Sequence, residues 1–244
     1  MYNFVEYKKR VKPYKFLTFS FDDGITQDRR FVEMLNKYGL KCTFNLNSGV
    51  FGNQDILPLS RPVNHFKIDS SEVKNLYKGH EVAVHSLTHP RLDLCSKEEM
   101  HHQIFDDKAN LERLSGQEII GMAYPGGPFY NEDVFSTITE AGLLYARDTK
   151  DTFKFDLPTN LIVWQPTVHF LNTPELHKCV DDFISLEPKE DCLLYIWGHS
   201  YEFDFHDMWD VVDEILLKLS NKDDITYVTN GEIATYIVKG NTIK

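Results

Sequence analysis

The chain reads as an α/β protein, a distorted (β/α) barrel of about seven strands, because short apolar runs alternate with helix-period segments from one end to the other. A second observation points the same way: residues able to do chemistry stand just after those runs, where barrels of this kind build their active sites. The third is size. A chain of 244 residues with no internal repeat, low-complexity tract or linker-like stretch suits one domain spanning residues 1–244.

The first apolar run, residues 15–21 (KFLTFSF), is aromatic-rich, too short for an ordinary helix and followed by a turn at Gly24, so it predicts a buried strand. Asp22 and Asp23 end it, and charge at a buried strand end needs a partner: a metal, a cation or a helix N-terminus. The plainest alternative is that one of them caps the next helix. That helix, residues 26–38, carries Phe31, Met34, Leu35 and Tyr38 at helical spacing before Gly39. Residues 42–46 predict a second strand. Residues 49–68, with Pro58, Pro62 and little periodicity, predict a long loop over one face. A short helix from Ser70 or Ser71 to Gly79 precedes a third strand at residues 80–85 (HEVAVH). Ser96 and Glu99 have capping-box spacing for a helix to Ser115, stopped at Gly116. Residues 121–127 predict a short strand running into a glycine turn, and Asn131 caps a helix ending at Gly142. Residues 143–146 and 161–168 read as strands, and Thr173-Pro174 opens a helix to about Leu186. A strand at 192–197, a helix at 207–219 and a last strand at 225–228 complete the pattern.

Acidic residues number 37 against 26 basic, a net charge of −11, which argues against nucleic acid or an anionic membrane as partner. No apolar run reaches the roughly 18 residues a membrane span needs. The start, MYNFVEYKKRVKPYKF, lacks the apolar block of a secretory signal. Cys42, Cys95, Cys179 and Cys192 are widely spaced without a C-x-x-C pair, so the expectation is reduced thiols and a cytoplasmic protein.

The strand ends collect the chemistry. Asp22 and Asp23 follow the first strand; His85 and His89 (HSLTH) the third; Tyr124, Pro125, Gly126 and Gly127 the fourth; Arg147 and Asp148 the fifth; Gly198 and His199 the run LLYIW. Pro90 and the preceding strand favour a turn, not a helix, around His85 and His89. Two neutral imidazoles and one carboxylate make a common catalytic zinc set with positions left for water and substrate. His65, His80, His101, His102, His177 and His206 have no such company and read as structural or surface residues.

With these motifs in view, the sequence resembles the polysaccharide deacetylase family, the family-four carbohydrate esterases with a NodB-like domain. SFDDG is similar to its T-F-D-D-G motif and HSLTH to its H-[ST]-x-x-H motif, while AYPGG and WGHS fall where its third and fifth motifs belong. The resemblance implies a hydrolase that removes an N-acetyl group from a sugar, polysaccharide or small amide. It implies that Asp23, His85 and His89 hold one divalent metal, zinc before cobalt or manganese. It makes Asp22 the base that deprotonates a metal-bound water and His199 the acid that protonates the leaving amine. A backbone N–H near Gly126 would steady the oxyanion.

Two motifs depart from the family pattern, the third and the fourth. Ala123 stands where the third motif carries arginine and Gly126 where it carries tyrosine; Arg147, on the neighbouring strand, is the candidate to orient Asp22 instead. The fourth motif is only partly echoed by Asp148-Thr149-Lys150-Asp151 followed by Thr152 and Phe153, so Asp148, Asp151, His169 and Glu202 are all candidates to tune His199. Alternative activities on the same scaffold are hydrolysis of a cyclic imide or ureide, or of an O-acetyl ester. The altered third motif also admits an inactive carbohydrate-binding protein. Phe51, Phe129, Trp164, Tyr201 and Phe203 could line a sugar groove, with the turn at residues 127–130 the nearest substrate contact.

Overall fold

The computed structural model of the chain describes residues 13–239. Its strands are β1 (Lys15–Asp22), β2 (Cys42–Leu46), β3 (Gln54–Leu57), β4 (Val63–Phe66), β5 (Glu81–Val84), β6 (Gly121–Ala123), β7 (Tyr145–Arg147), β8 (Val168–His169), β9 (Cys192–Gly198) and β10 (Ile225–Tyr227). Its helices are α1 (Asp28–Lys37), α2 (Val73–Leu76), α3 (Lys97–His101), α4 (Asp107–Ser115), α5 (Glu132–Glu140), α6 (Thr173–Ser185), α7 (Tyr201–Phe205), α8 (Trp209–Leu219) and α9 (Asn230–Val238). Seven strands run parallel in the order β7-β6-β5-β2-β1-β9-β8 and curl into a half-barrel, with β10 as an eighth strand on β1.

β1 is the hub. All eight of its residues are buried. β9 pairs along almost its whole length, β10 pairs with Lys15, Phe16 and Leu17, and β2 pairs from Phe19 to Asp22, setting Asp22 opposite Asn45. Buried on both faces, such a strand reads as a continuous apolar run, not an alternating one. Phe21 packs on Phe31 of α1 and Phe203 of α7, with ring centroids 4.3 and 5.5 Å away. Each such side chain contributes roughly 1.5–3 kcal/mol by leaving water.

The edge strand β7 is linked to β9, at the other side of the sheet, by residues 164–169, which include the opposite edge strand β8. Trp164 N–H donates to Ala146 O at 3.0 Å, Asp148 N–H to Trp164 O at 2.9 Å, and Thr167 N–H to Tyr195 O at 2.9 Å. This corrects the strand expected at residues 161–168. Leu161–Val163 is a 3₁₀ turn, Trp164 makes one bridge, and β8 is two residues long. Pro166, which has no N–H, interrupts the ladder between them.

Three further expectations are corrected. The loop at 49–68 contains an antiparallel hairpin of β3 and β4; Pro58 and Pro62 lie in its connection, punctuating the hairpin instead of preventing it. The hairpin runs beside the turn after β1, through Thr26 N–H to Phe66 O at 2.8 Å and Ile68 N–H to Gly24 O at 3.0 Å. The helix at 96–115 is split by a π-helical segment, His102–Asp106. A helix not anticipated, α9, follows β10 behind the capping box of Thr229 and Glu232. Its first turn closes the bottom of the barrel: Gly231 N–H donates to buried Glu81 at 2.8 Å and Thr18 Oγ1 to Asn230 Oδ1 at 2.9 Å. The strands' C-terminal ends stay open. Among the described residues no helix is long and apolar enough to cross a membrane, and the four cysteines are free.

Candidate active site

The open end holds a cleft of about 730 Å³ lined by residues from six of the strand ends and from the β3–β4 hairpin. Asp22, Asp23, His85, His89, Tyr124, Gly126 and His199 all line it. Pro125 and Gly127, expected beside them, are buried and lie outside the lining, so the glycine turn offers the cleft Tyr124 and Gly126 only.

Asp22 is 2% exposed and has a partner on each carboxylate oxygen. Asn45 Nδ2 donates to Oδ1 at 2.8 Å. Arg147, fully buried, donates from Nη2 to Oδ2 and from Nη1 to the Asp148 carbonyl at 3.2 Å. The guanidinium also lies over the Trp197 ring, 4.5 Å from its centroid. β6 and β7 pair Ala123 with Arg147, so the guanidinium enters the cleft floor from the strand next to the missing third-motif arginine. Nε2 of His85 and of His199 each stand 3.9 Å from Asp22 Oδ2. Burial alone would raise the Asp22 pKa, but the Arg147 guanidinium, with the His199 imidazolium behind it, holds it below the ordinary carboxylate value.

Asp23 turns away from β1 with φ +84°, a backbone conformation that costs a non-glycine residue on the order of 1 kcal/mol or more. Its carboxylate is taken by His65 of β4 and by Lys67, the residue just after β4: His65 Nε2 is 3.0 Å from Oδ2 and Lys67 Nζ is 3.2 Å from Oδ1. Burial opposes ionisation, yet the His65 hydrogen bond and the Lys67 charge keep Asp23 well below the ordinary range. Sequence reasoning placed His65 among structural or surface residues and passed over Lys67. The alternation His65-x-Lys67 on one strand face was the signal that both point the same way.

His85 Nδ1 lies 2.9 Å from the Ala123 carbonyl, an arrangement in which that nitrogen donates and Nε2 faces the cleft with its lone pair. Burial lowers the pKa of His85 to about 4, and desolvation lowers that of His89 as well, so both rings are neutral donors. His89 (φ +64°) is held by its own N–H to Ser86 Oγ at 3.1 Å. One donor atom from each of Asp23, His85 and His89 falls within 4.8 Å of the others. Two neutral nitrogens and one carboxylate oxygen, with His85 oriented from behind, fit zinc and other borderline divalent cations.

In a second cluster, one donor atom from each of His169, His199 and Glu202 also falls within 4.8 Å of the others. Its internal hydrogen bonds assign it differently. Leu171 N–H donates to His169 Nδ1 at 3.1 Å, which puts that ring's proton on Nε2, 3.5 Å from Glu202 Oε1. His199 Nδ1 is 3.1 Å from the same oxygen, and its backbone N–H donates to Glu202 Oε2 at 3.1 Å. Glu202 is therefore a proton-held partner of His199. Of the other residues considered for that place, Asp151 accepts from Trp197 Nε1 at 2.8 Å and Asp148 from Tyr130 at 3.1 Å. Burial disfavours the charged His199 ring, but Glu202 first, then Asp23 and Asp22, raise its pKa to about 9.

Of the aromatic residues considered for a sugar groove, Trp164 and Phe203 are core. Tyr201 lines the cleft, its ring 5.4 Å from that of His199 and 5.2 Å from that of His65. Phe129 is stacked under Arg91, and Phe51 packs against the core.

A half-barrel of parallel strands whose open end gathers an aspartate pair, two histidines of an H-x-x-x-H turn and a late histidine defines the NodB-like class of folds. The chain belongs to the polysaccharide deacetylase family, whose model matches residues 9–146. No curated protein sequence matches it. Among solved structures, it is similar to the Xyl-CE4 domain of a multidomain xylanase from the hindgut metagenome of Trinervitermes trinervoides (18% identity, 93% of this chain, 92% of that one, TM-score 0.59). It is similar to the deacetylase PplD of Streptococcus pyogenes in complex with acetate (20% identity, TM-score 0.51), covering 60% of this chain and 61% of that one. It is also similar to BA3943 of Bacillus anthracis, described as a family-four pseudoenzyme (16% identity, 92% of this chain, 66% of that one, TM-score 0.51). At these identities the likeness shows the fold.

The Arg147–Asp22 contact makes a direct prediction. Arg147→Met strands a buried carboxylate and should lower the unfolding free energy by about 3–5 kcal/mol in a denaturant titration at neutral pH. Adding Asp22→Asn should restore part of that loss. A single variant as stable as the parent would contradict the pairing.

Proposed function

We propose that the protein is a metal-dependent hydrolase that removes the acetyl group from an N-acetylated sugar or a related amide. The observation that carries the reading is the convergence of the Asp23, His85 and His89 donor atoms beside an Asp22 that stands between Arg147 and His199. Family membership supports it.

A divalent cation held by Asp23, His85 and His89 would supply Lewis acidity, lowering the pKa of a bound water and polarising the acyl oxygen. Asp22 accepts the proton of the attacking water; its pKa, held low by Arg147, keeps it ionised and ready. Arg147 fixes which oxygen of Asp22 faces the cleft. His199 carries a proton near neutral pH and hands it to the departing nitrogen. An amine leaves only when protonated, whereas an alcohol leaves far more easily, so an acid held protonated up to about 9 supports an N-acetyl over an O-acetyl substrate. Tyr124, Gly126 and Tyr201 form the walls against which the sugar rests. Arg147 and Glu202, both present and in contact with the proposed base and acid, support catalysis over carbohydrate binding alone.

The test is acetate release from N-acetylglucosamine oligomers by protein supplied in turn with zinc, cobalt and manganese. Turnover is expected with at least one metal, and Asp22→Asn should cut it by roughly 10²–10⁴-fold, the usual weight of a general base. No acetate with any of the three would overturn the reading.

A second measurement concerns Glu202. His199 faces Glu202 and His169 on one side and Asp22, Asp23 and Tyr201 on the other. An acid catalyst is lost as pH rises through its pKa, so the alkaline limb of kcat should fall near 9. Glu202→Gln removes the anion that holds the imidazolium, and the limb should move down toward or below the ordinary histidine value of about 6.5. A reduced kcat with an unmoved limb would make Glu202 merely structural.

A further inference from the structure

Lys67 is 8% exposed, and its ammonium touches three oxygens: the Asp23 carbonyl at 2.8 Å, Asp23 Oδ1 at 3.2 Å and Asn47 Oδ1 at 3.2 Å. An ammonium has three donors, so this one is saturated and acts as a fixed cation, neither base nor nucleophile. Its backbone is pinned as well, by Lys67 N–H to Asn53 O at 2.8 Å. Asn47 carries the link onward: its Nδ2 donates to the His85 carbonyl at 2.6 Å and the Ser86 carbonyl at 3.0 Å. One lysine thus ties the turn bearing Asp23 to the turn bearing His85 and His89.

The same pairing recurs across the cleft floor. Asp22 has Arg147, Glu202 has His199, and Asp23 has Lys67. Each carboxylate already has its own cation from the chain, and a divalent ion would have to share Asp23 with the ammonium. Like charges that close together repel strongly when water is excluded.

From this geometry we infer that Lys67 is a resident cation that preorganises the ligand turns and, in doing so, weakens the site's hold on its divalent metal, leaving that metal exchangeable. The inference rests on the proposed role of Asp23, His85 and His89 as ligands. Lys67 preserves the strained Asp23 backbone whether or not a metal is bound. The cost is that the ligand carboxylate is half neutralised.

The experiment is calorimetric titration of zinc and cobalt into the metal-stripped full chain, its Lys67→Met variant and its Lys67→Gln variant, with thermal unfolding followed alongside. Lys67→Gln keeps hydrogen-bonding capacity without the charge, so it separates charge from support if Lys67→Met folds poorly. Metal is expected to bind the Gln variant at least about tenfold more tightly than the parent, a gain of about 1.4 kcal/mol. The rise in melting temperature on adding metal should be larger in the variant. Equal or weaker binding by the variants, with the parent still binding, would overturn the inference and leave the metal reading standing. Binding by none of the three would overturn both.

Discussion

Burying carboxylates at the floor of a barrel is the constraint on which the rest of this structure depends. An unpaired buried carboxylate is expensive, and the fold answers by giving Asp22, Asp23 and Glu202 each a dedicated cation. The three cations come from β7, from the segment just after β4 and from the residue following β9. The barrel must therefore be assembled before any of the pairs exists. The hydrophobic hub of β1 makes this possible by holding Asp22 and Asp23 in one place while strands on both sides bring partners to them.

The division of labour between the adjacent aspartates follows from backbone geometry. Asp22 is the last residue of a parallel strand, so its side chain is locked by Asn45 and Arg147. Asp23 has left the strand at φ +84° and points to the other side of the cleft, toward the two histidines of the HSLTH turn. Two like residues one position apart acquire different neighbours and hence different chemistry. His199, the proposed acid, stands 3.9 Å from Asp22 Oδ2 through Nε2 and joins the same constellation through that one oxygen.

Much of this was legible in the sequence where chemistry lies next to a strand. Asp22, Asp23, His85, His89 and His199 all stand directly after apolar runs, and the strand-end rule of parallel barrels put them at one mouth. Arg147 could be nominated because Ala123 left a vacancy on the neighbouring strand. What stayed hidden depends on contacts across space. The β3–β4 hairpin was masked by Pro58 and Pro62, which lie in its connection, and with it went His65 and Lys67, both more than forty residues from Asp23 along the chain. Glu202 could not be separated from Asp148, Asp151 and His169 by spacing, since what decides among them is which carboxylate faces the imidazole of His199. The helix α9 was missed although Thr229 and Glu232 spell a capping box.

The claim that matters most is that Asp23, His85 and His89 form the metal centre while Asp22 keeps Arg147 as its partner. Crystals of the full chain soaked in zinc, with diffraction collected on either side of the zinc absorption edge, test it directly. One anomalous peak bonded to those three side chains, with the Asp22–Arg147 contact intact, is the result expected. A peak at His169, His199 and Glu202, or none within the cleft, would contradict it.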